Sequence, residues 1–330
     1  MNSKPLGRVA LITTSDDVLG YEVPANLPVS NAEALDPATY WSRDDYARLI
    51  GALRAERRDY LATFSDQADI FANIRARILD SQGMLRREPQ MLLMEELREP
   101  RNYFSILRAL AQGSTRLNEI SQGARVGDAT TTARYLNILQ DLRVVNRNVP
   151  ATESRPDKNK RGLYQITDAF LRFWFRYVHP NQGSLDLGLA DAVLAQRVRP
   201  TFDQFVSYAF EEAARAYVAR LARAGQLAFL PERIGSWWDS TGEVDVVAVS
   251  EADGALLLGE CKWSVNPVGT DILDDLQRKA RLVDPQGRWP AVSYALFAKS
   301  GFTPALLARA ADENVRLVAA EALVTDDPGS

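Results

Sequence analysis

Cysteine and histidine are nearly absent from this chain of 330 residues. The single cysteine, Cys261, excludes an internal disulfide framework and a zinc site built from cysteines, and it is typical of a reducing compartment. The single histidine, His179, leaves little support for histidine-based acid–base or zinc chemistry. Because Pro180 and Asn181 follow it at the end of an element, we expect His179 to cap that element and not to bind a ligand.

Long apolar runs and a nucleotide-binding loop are missing as well. No apolar run approaches the length of a membrane span and the N-terminus lacks a signal-peptide core, so we expect a cytoplasmic protein with no membrane partner. Phosphate cradling needs a glycine-rich loop that ends in Gly-Lys-Ser or Gly-Lys-Thr at the start of a helix, and no such string occurs. We therefore expect no nucleotide cofactor and no ATP hydrolysis. The formal charge of −4 argues against a protein that coats nucleic acid uniformly.

The residues that favour a catalytic function lie in the stretch 242–264. Two short apolar runs in this stretch flank a turn-prone segment, which predicts two strands of a hairpin. Because side chains alternate along a strand, Glu260 and Lys262 share one face and Cys261 lies on the other, where we expect it to pack. Asp245, near the start of the first strand, is then expected to meet Glu260 and Lys262 at one edge of the sheet.

Two carboxylates and one ammonium at this spacing suit a metal-dependent phosphodiesterase. Mg²⁺ takes carboxylate oxygens and keeps several waters, so Asp245 and Glu260 can hold Mg²⁺ or Mn²⁺ and leave coordination sites for a phosphate. The ion would lower the pKa of a bound water, and Lys262 would orient that water or stabilise the developing negative charge. The alternative is a buried strand end with an ion pair between aspartate and lysine, and the residues alone do not decide between the two.

The order of these residues resembles the core of PD-(D/E)XK nuclease-like domains, which are α/β domains with a mixed central sheet. That resemblance implies an assisting acid on the preceding helix, and Glu211 is placed to match. A narrower resemblance is to the C-terminal domain, of unknown function, of archaeal-type P-loop ATPases, and it covers residues from about 60 to the C-terminus. The segments that carry it are 96–101, 162–164, 173–177, 237–239, 242–245 and 259–264. Because the ATPase core itself is missing, the chain is either a truncated paralogue or a piece of a longer protein.

A basic region precedes the nuclease-like part. Residues 98–176 contain fourteen Lys and Arg against seven Asp and Glu. Helical patterns near 103–111, 116–122 and 129–142, followed by two strands around a polar tip, predict a winged helix-turn-helix, and the resembled family carries one here. The third helix of such a unit enters the major groove, whereas the tip meets phosphate. The predicted DNA-binding residues are Thr130, Thr131, Arg134 and Asn137 on the helix, and Lys158, Lys160 and Arg161 at the tip.

We therefore expect a multidomain chain of α/β and α+β class. Residues 1–97 are predicted to form a strand and a helical, lid-like remnant of an ATPase domain, residues 98–180 the winged helix, and residues 190–330 the nuclease-like domain. A further amphipathic helix is predicted from 271 to 282, and its Lys279 is expected on a solvent-exposed face more readily than at the site.

Three functions are compatible with these features. The first is a DNA-associated protein with a metal-dependent nuclease-like domain. The second is a regulatory module that has the nuclease-like fold, does not cleave DNA, and binds DNA or protein. Winged helices also serve in protein docking and dimerisation. The third is a defence or toxin-like component that works with a separate ATPase. The possible partners are thus DNA, a second copy of the chain, and an ATPase.

Overall fold

The computed structural model describes residues 63–65, 67–97, 100–155, 159 and 161–323. The strand predicted near the N-terminus lies outside these residues, as do Lys158 and Lys160. The described residues form two compact units. The first unit, which we call the helical unit, contains the described residues before Val206 together with Trp237–Asp239. The second, which we call the sheet unit, contains the other described residues. The predicted division into three domains stays a prediction.

The helical unit contains eight described α-helices and two short strands. The helices are α1 (Ile70–Asn73), α2 (Glu88–Glu96), α3 (Pro100–Ala111), α4 (Leu117–Ala124), α5 (Ala129–Asp141), α6 (Ala169–Phe173), α7 (Gln182–Asp186) and α8 (Ala190–Val193). The π-helical segments Ile74–Leu79, Trp174–Val178 and Leu194–Val198 continue α1, α6 and α8, and 3₁₀ turns follow at His179–Asn181 and Arg199–Thr201.

Helices α3, α4 and α5 and the two strands occupy the basic region. Asp128 begins α5, since its carboxylate accepts a hydrogen bond from the backbone N–H of Thr131 at 2.7 Å, which satisfies one of the free donors at the start of a helix. The strands β1 (Val145–Asn148) and β2 (Leu163–Ile166) pair in antiparallel fashion. Three helices followed by a two-stranded ribbon thus occupy the segments predicted for them.

An aromatic core lies where α3 meets the continuation of α6. Trp174 and Phe175 are fully buried, and their rings contact Phe104 at centroid distances of 6.2 and 5.5 Å. His179 stacks on Phe104 at 5.8 Å, and its backbone N–H donates to the Trp174 carbonyl. Burial, followed by the charge of Arg108, lowers the pKa of His179, so its ring is neutral at physiological pH and serves packing.

The sheet unit is built on a five-stranded mixed sheet in the order β3-β4-β5-β6-β7. β4 and β5 form an antiparallel pair, whereas β5, β6 and β7 run parallel to one another. The expectation of a mixed sheet is thereby confirmed. The helices are α9 (Phe202–Arg223), which lies in this unit from Val206 onward, α10 (Thr270–Val283), α11 (Pro304–Glu313) and α12 (Ala320–Leu323). The strands are β3 (Arg233–Trp238), whose last two residues belong to the helical unit, β4 (Glu243–Ser250), β5 (Ala255–Lys262), β6 (Ala291–Ala298) and β7 (Arg316–Ala319).

Helices α9 and α10 cover opposite faces of this sheet. Tyr217 of α9 contacts Phe297 of β6, whose register partner on β5 is Cys261. Glu260, the neighbour of Cys261 on β5, instead contacts Lys279 of α10. Because successive side chains on a strand point to opposite faces, the two helices lie on either side. The close packing extends to Gly259, where an added Cβ would lie 3.0 Å from atoms of both Phe297 and Val246.

No helix in the described part of the chain is both long enough and apolar enough to span a bilayer.

Candidate active site

Neighbouring strands bring Asp245 and Glu260 together. In the antiparallel pair of β4 and β5, Val246 is opposite Gly259. Asp245 and Glu260 each lie one residue beyond that pair, on the two adjacent strands. The side chain of Asp245 reaches across, since its Oδ2 accepts a hydrogen bond of 2.8 Å from the backbone N–H of Cys261. The carboxylate of β4 is therefore fixed against the end of β5.

Lys262 lies on the same face as Glu260, as the alternation along β5 predicts. Its Nζ donates to Glu260 Oε1 at 2.7 Å. The side chain of Glu260 is 8% exposed, whereas that of Lys262 is 34% exposed. The carboxylate is thus buried beneath an ammonium group that solvent and a ligand can still reach.

The structure brings Glu211 to the same place from α9. Arg215, one turn later, lies with Nη1 3.8 Å from Glu211 Oε2 and donates from the same nitrogen to the backbone carbonyl of Asp245 at 2.7 Å. Arg215 therefore ties the helix to β4. Arg215 was not predicted from the sequence, although its position four residues after Glu211 on a helix indicated that the two side chains are neighbours.

Burial and mutual repulsion raise the pKa values of two of these acids. Burial, and then the charge of Asp245, raises the pKa of Glu211 to about 8. Burial, and then the charge of Glu260, raises the pKa of Asp245 to about 6. Acids whose pKa values are raised by burial and by neighbouring carboxylates are found at functional sites more often than elsewhere.

Lys279 belongs to the site, and the expectation of a solvent-exposed face for it is wrong. Its Nζ lies 3.1 Å from Glu260 Oε2 and 3.1 Å from Asp275 Oδ2, and its side chain is only 11% exposed. The apolar face of α10 explains the error, because Lys279 follows Leu276 by one helical turn and shares its buried face. The position of Lys279 within the apolar stripe of α10 was the sequence signal for its burial.

Cys261 lies between Glu260 and Lys262 on β5 and is half-buried, so its expected packing role stays a prediction. Burial, and then the charges of Asp245 and Glu211, raises the pKa of its thiol well above the ordinary value. The thiol is therefore protonated at physiological pH and is a poor nucleophile.

The donor set fits a divalent cation of the Mg²⁺ type. Asp245 and Glu260 supply hard carboxylate oxygens from adjacent strands. Among the residues that the structure describes, no group of three His, Cys, Asp or Glu side chains is arranged to enclose a metal ion. Mg²⁺ is held by one or two carboxylates together with waters and substrate oxygens, so an open pair of carboxylates suits it. A structural zinc ion, in contrast, is enclosed by four protein ligands.

Those residues predicted to contact DNA that the structure describes lie in the helical unit. Thr130, Arg134 and Asn137 are exposed along one face of α5, whereas Thr131 is half-buried. Arg161 is partly exposed, and its guanidinium lies 3.7 Å from Glu153. The helix residues thus present one continuous polar face.

Two further arginines in this unit were not singled out from the sequence. Arg125 follows α4 and Arg143 follows α5, both exposed and both with backbone φ near +55°. This left-handed conformation is uncommon for arginine, and no simple sequence signal predicts it.

Comparisons with known proteins assign no activity. Residues 174–272, which include Glu211, Asp245, Glu260 and Lys262, match a family described as archaeal and bacterial proteins of unknown function, DUF234. The chain is 34% identical over 205 residues to the uncharacterized protein MJECL04 of Methanocaldococcus jannaschii, a match that covers 61% of this chain and 45% of that protein. The chain thus spans less than half the length of this relative.

Among solved structures, protein VC1899 from Vibrio cholerae aligns with 84% of this chain and 58% of its own, at 13% identity and a TM-score of 0.26. A likeness at this level carries no argument about fold or function.

The raised pKa of Glu211 predicts how stability depends on pH. From its ordinary pKa of 4.5 up to about 8, the folded chain keeps a proton on Glu211 that the unfolded chain has released. The free energy of unfolding should therefore fall as the pH rises through this interval. In Glu211→Gln this decrease in the free energy of unfolding should be smaller by about 1–2 kcal/mol. Urea denaturation at several pH values across the range measures it.

The matched control is Glu212→Gln, which removes the same charge from the next residue of α9. It should leave most of the pH dependence of the free energy of unfolding unchanged. Identical slopes for the wild type and Glu211→Gln would contradict the protonation assigned to Glu211.

Proposed function

We propose that the chain is a DNA-associated protein whose sheet unit is a metal-dependent, nuclease-like phosphodiesterase. The observation that carries this proposal is the convergence of Asp245, Glu260 and Lys262 at the end of two adjacent strands, with Glu211 approaching from α9. The buried Glu260 and the half-buried Asp245 and Glu211, beside a partly exposed lysine, supply both a cation site and a positive group for phosphate. The mixed sheet with helices on both faces supports the resemblance to PD-(D/E)XK nuclease-like domains.

In this proposal Asp245 and Glu260 hold Mg²⁺ or Mn²⁺, which when bound supplies a water of lowered pKa and positive charge for the phosphate. Hydrolysis forms a bond between water oxygen and phosphorus and breaks the bond to the leaving oxygen, which takes up a proton. Lys262 orients the attacking water and offsets the negative charge that builds on the phosphate. Glu211, with a pKa of about 8, can accept or release a proton near neutral pH.

The helical unit supplies the proposed contact with DNA. Three helices followed by a two-stranded antiparallel ribbon support its interpretation as a winged helix, with α5 as the recognition helix. Thr130, Arg134 and Asn137 form the exposed face that would reach base edges, and Thr131 lies at its border. Arg161, together with Lys158 and Lys160, would contact phosphates and position the protein without reading sequence.

A second candidate function is a module that binds DNA or protein without cleaving DNA. One observation favours it, namely that each oxygen of Glu260 is already paired with an ammonium group, from Lys262 and from Lys279. A site whose central carboxylate is neutralised in this way can serve stability alone.

Cleavage assays separate the two functions. Plasmid, linear and branched DNA are incubated with the protein and Mg²⁺ or Mn²⁺, with a chelator as the negative control. We expect metal-dependent cleavage that falls by about a hundredfold or more in Glu260→Gln and in Lys262→Met, because each removes a group that acts in the transition state. Glu251→Gln, at the exposed turn between β4 and β5, is the matched control and should cleave like the wild type.

Cleavage that persists in both Glu260→Gln and Lys262→Met would rule out the assigned roles. Metal-independent binding without any cleavage would favour the second function.

DNA binding has its own test. Fluorescence anisotropy with labelled duplexes should show an affinity that falls steeply with salt, because bound arginines and lysines release counterions from the phosphates. Arg134→Ala should weaken binding by about tenfold if its side chain contacts a base edge. Arg281→Ala, on α10 of the sheet unit, is the control for loss of one positive charge. Equal affinities for Arg134→Ala and Arg281→Ala would contradict the role given to α5.

A further inference from the structure

Lys279 is shared between two carboxylates on different elements. Its Nζ lies 3.1 Å from Glu260 Oε2 on β5 and 3.1 Å from Asp275 Oδ2, one turn earlier on α10. The side chain of Glu260 is 8% exposed and that of Asp275 is 42% exposed. The ammonium group therefore lies between a buried acid and an acid at the surface.

Glu260 has no unpaired oxygen in this arrangement. Lys262 contacts Oε1 at 2.7 Å, and Lys279 contacts Oε2. A divalent cation that binds Glu260 must take one of these oxygens and would then lie within a few ångströms of an ammonium group. Two like charges at such a distance repel strongly in a partly buried site. Repulsion therefore favours a cation-bound state in which one lysine has moved away from Glu260.

Of the two lysines, Lys279 is the one that has a second acidic partner. Asp275 already contacts its Nζ, so the ammonium group can leave Glu260 without losing an ion-pair partner. A lysine side chain is a flexible four-carbon stem with a compact charge, and a small rotation suffices to change its partner. Lys262, in contrast, forms an ion pair with Glu260 and with no second acid among the described residues.

We propose that Lys279 is a positioning residue that competes with the divalent cation for Glu260 Oε2 and moves to Asp275 when the cation binds. The inference rests on the proposed function, because it assumes that Asp245 and Glu260 hold the cation. Lys279 then sets how tightly the site binds its cation and keeps the buried carboxylate in place. It touches neither the phosphate nor the attacking water.

The proposal predicts opposite effects for two variants of the full chain. Mn²⁺ binding is measured by isothermal titration calorimetry near neutral pH, without DNA. Lys279→Met removes the competitor and should tighten Mn²⁺ binding by about tenfold. Asp275→Asn removes the alternative partner, leaves Lys279 to Glu260 alone, and should weaken Mn²⁺ binding by a similar factor.

Matched controls separate this exchange from a general change in charge. Arg281→Met removes a positive charge from an exposed residue two positions further along α10. Asp274→Asn removes a negative charge from the residue beside Asp275, whose partner is Arg309. Both controls should bind Mn²⁺ much as the wild type does. Circular dichroism establishes that each variant is folded, and Asp275→Asn, at a partly exposed position, keeps the test available if Lys279→Met does not fold.

The outcomes are distinguishable. In one outcome the wild type binds Mn²⁺ and Glu260→Gln does not, while Lys279→Met and Asp275→Asn both bind Mn²⁺ as their controls do. The proposed competition by Lys279 is then wrong, whereas the proposed function stands. Weaker binding by Lys279→Met also overturns the competition. If neither the wild type nor Lys279→Met binds Mn²⁺, the metal site and the proposal that rests on it both fail.

Discussion

A carboxylate buried in a sheet is stable only when its charge is compensated. Two lysines from different elements compensate the charge of Glu260. Removing one partner of a buried ion pair typically costs about 3–5 kcal/mol, because the remaining charge is left uncompensated. The pair with Lys279 therefore fixes the end of β5 against α10, whereas the pair with Lys262 lies within β5 itself. This constraint also holds in one place the groups on which any chemistry of the sheet unit depends.

The topology of the sheet determines which residues can meet there. β5 is antiparallel to β4 on one side and parallel to β6 on the other. The first pairing brings Asp245 to Glu260, and α9 and α10 then bring Glu211 and Lys279 from opposite faces. Acids therefore accumulate at a sheet end that keeps a partly exposed lysine. A fold of this kind does not by itself imply an activity, so the functional argument rests on these side chains.

Much of this site follows from period-two alternation and strand pairing. Those two rules predict that Glu260 and Lys262 share a face and that Asp245 lies on the neighbouring strand. They cannot predict Lys279 or Arg215, because the positions of these residues depend on how the helices pack on the sheet. For Lys279 the amphipathic pattern of α10 was misjudged, since a charged residue was assigned to the solvent although it lies among buried leucines. The helices and strands of the basic region were predictable from caps and periodicity, whereas its two left-handed arginines were not.

The central claim is that Asp245 and Glu260 together hold a divalent cation. Anomalous diffraction from a crystal soaked in Mn²⁺ tests it most directly, because the metal is located without reference to any activity. The account predicts an anomalous peak between the two carboxylates, at about 2.0–2.6 Å from an oxygen of each, as expected for hard cations. A fully occupied peak elsewhere in the crystal, with none beside Asp245 and Glu260, would contradict it.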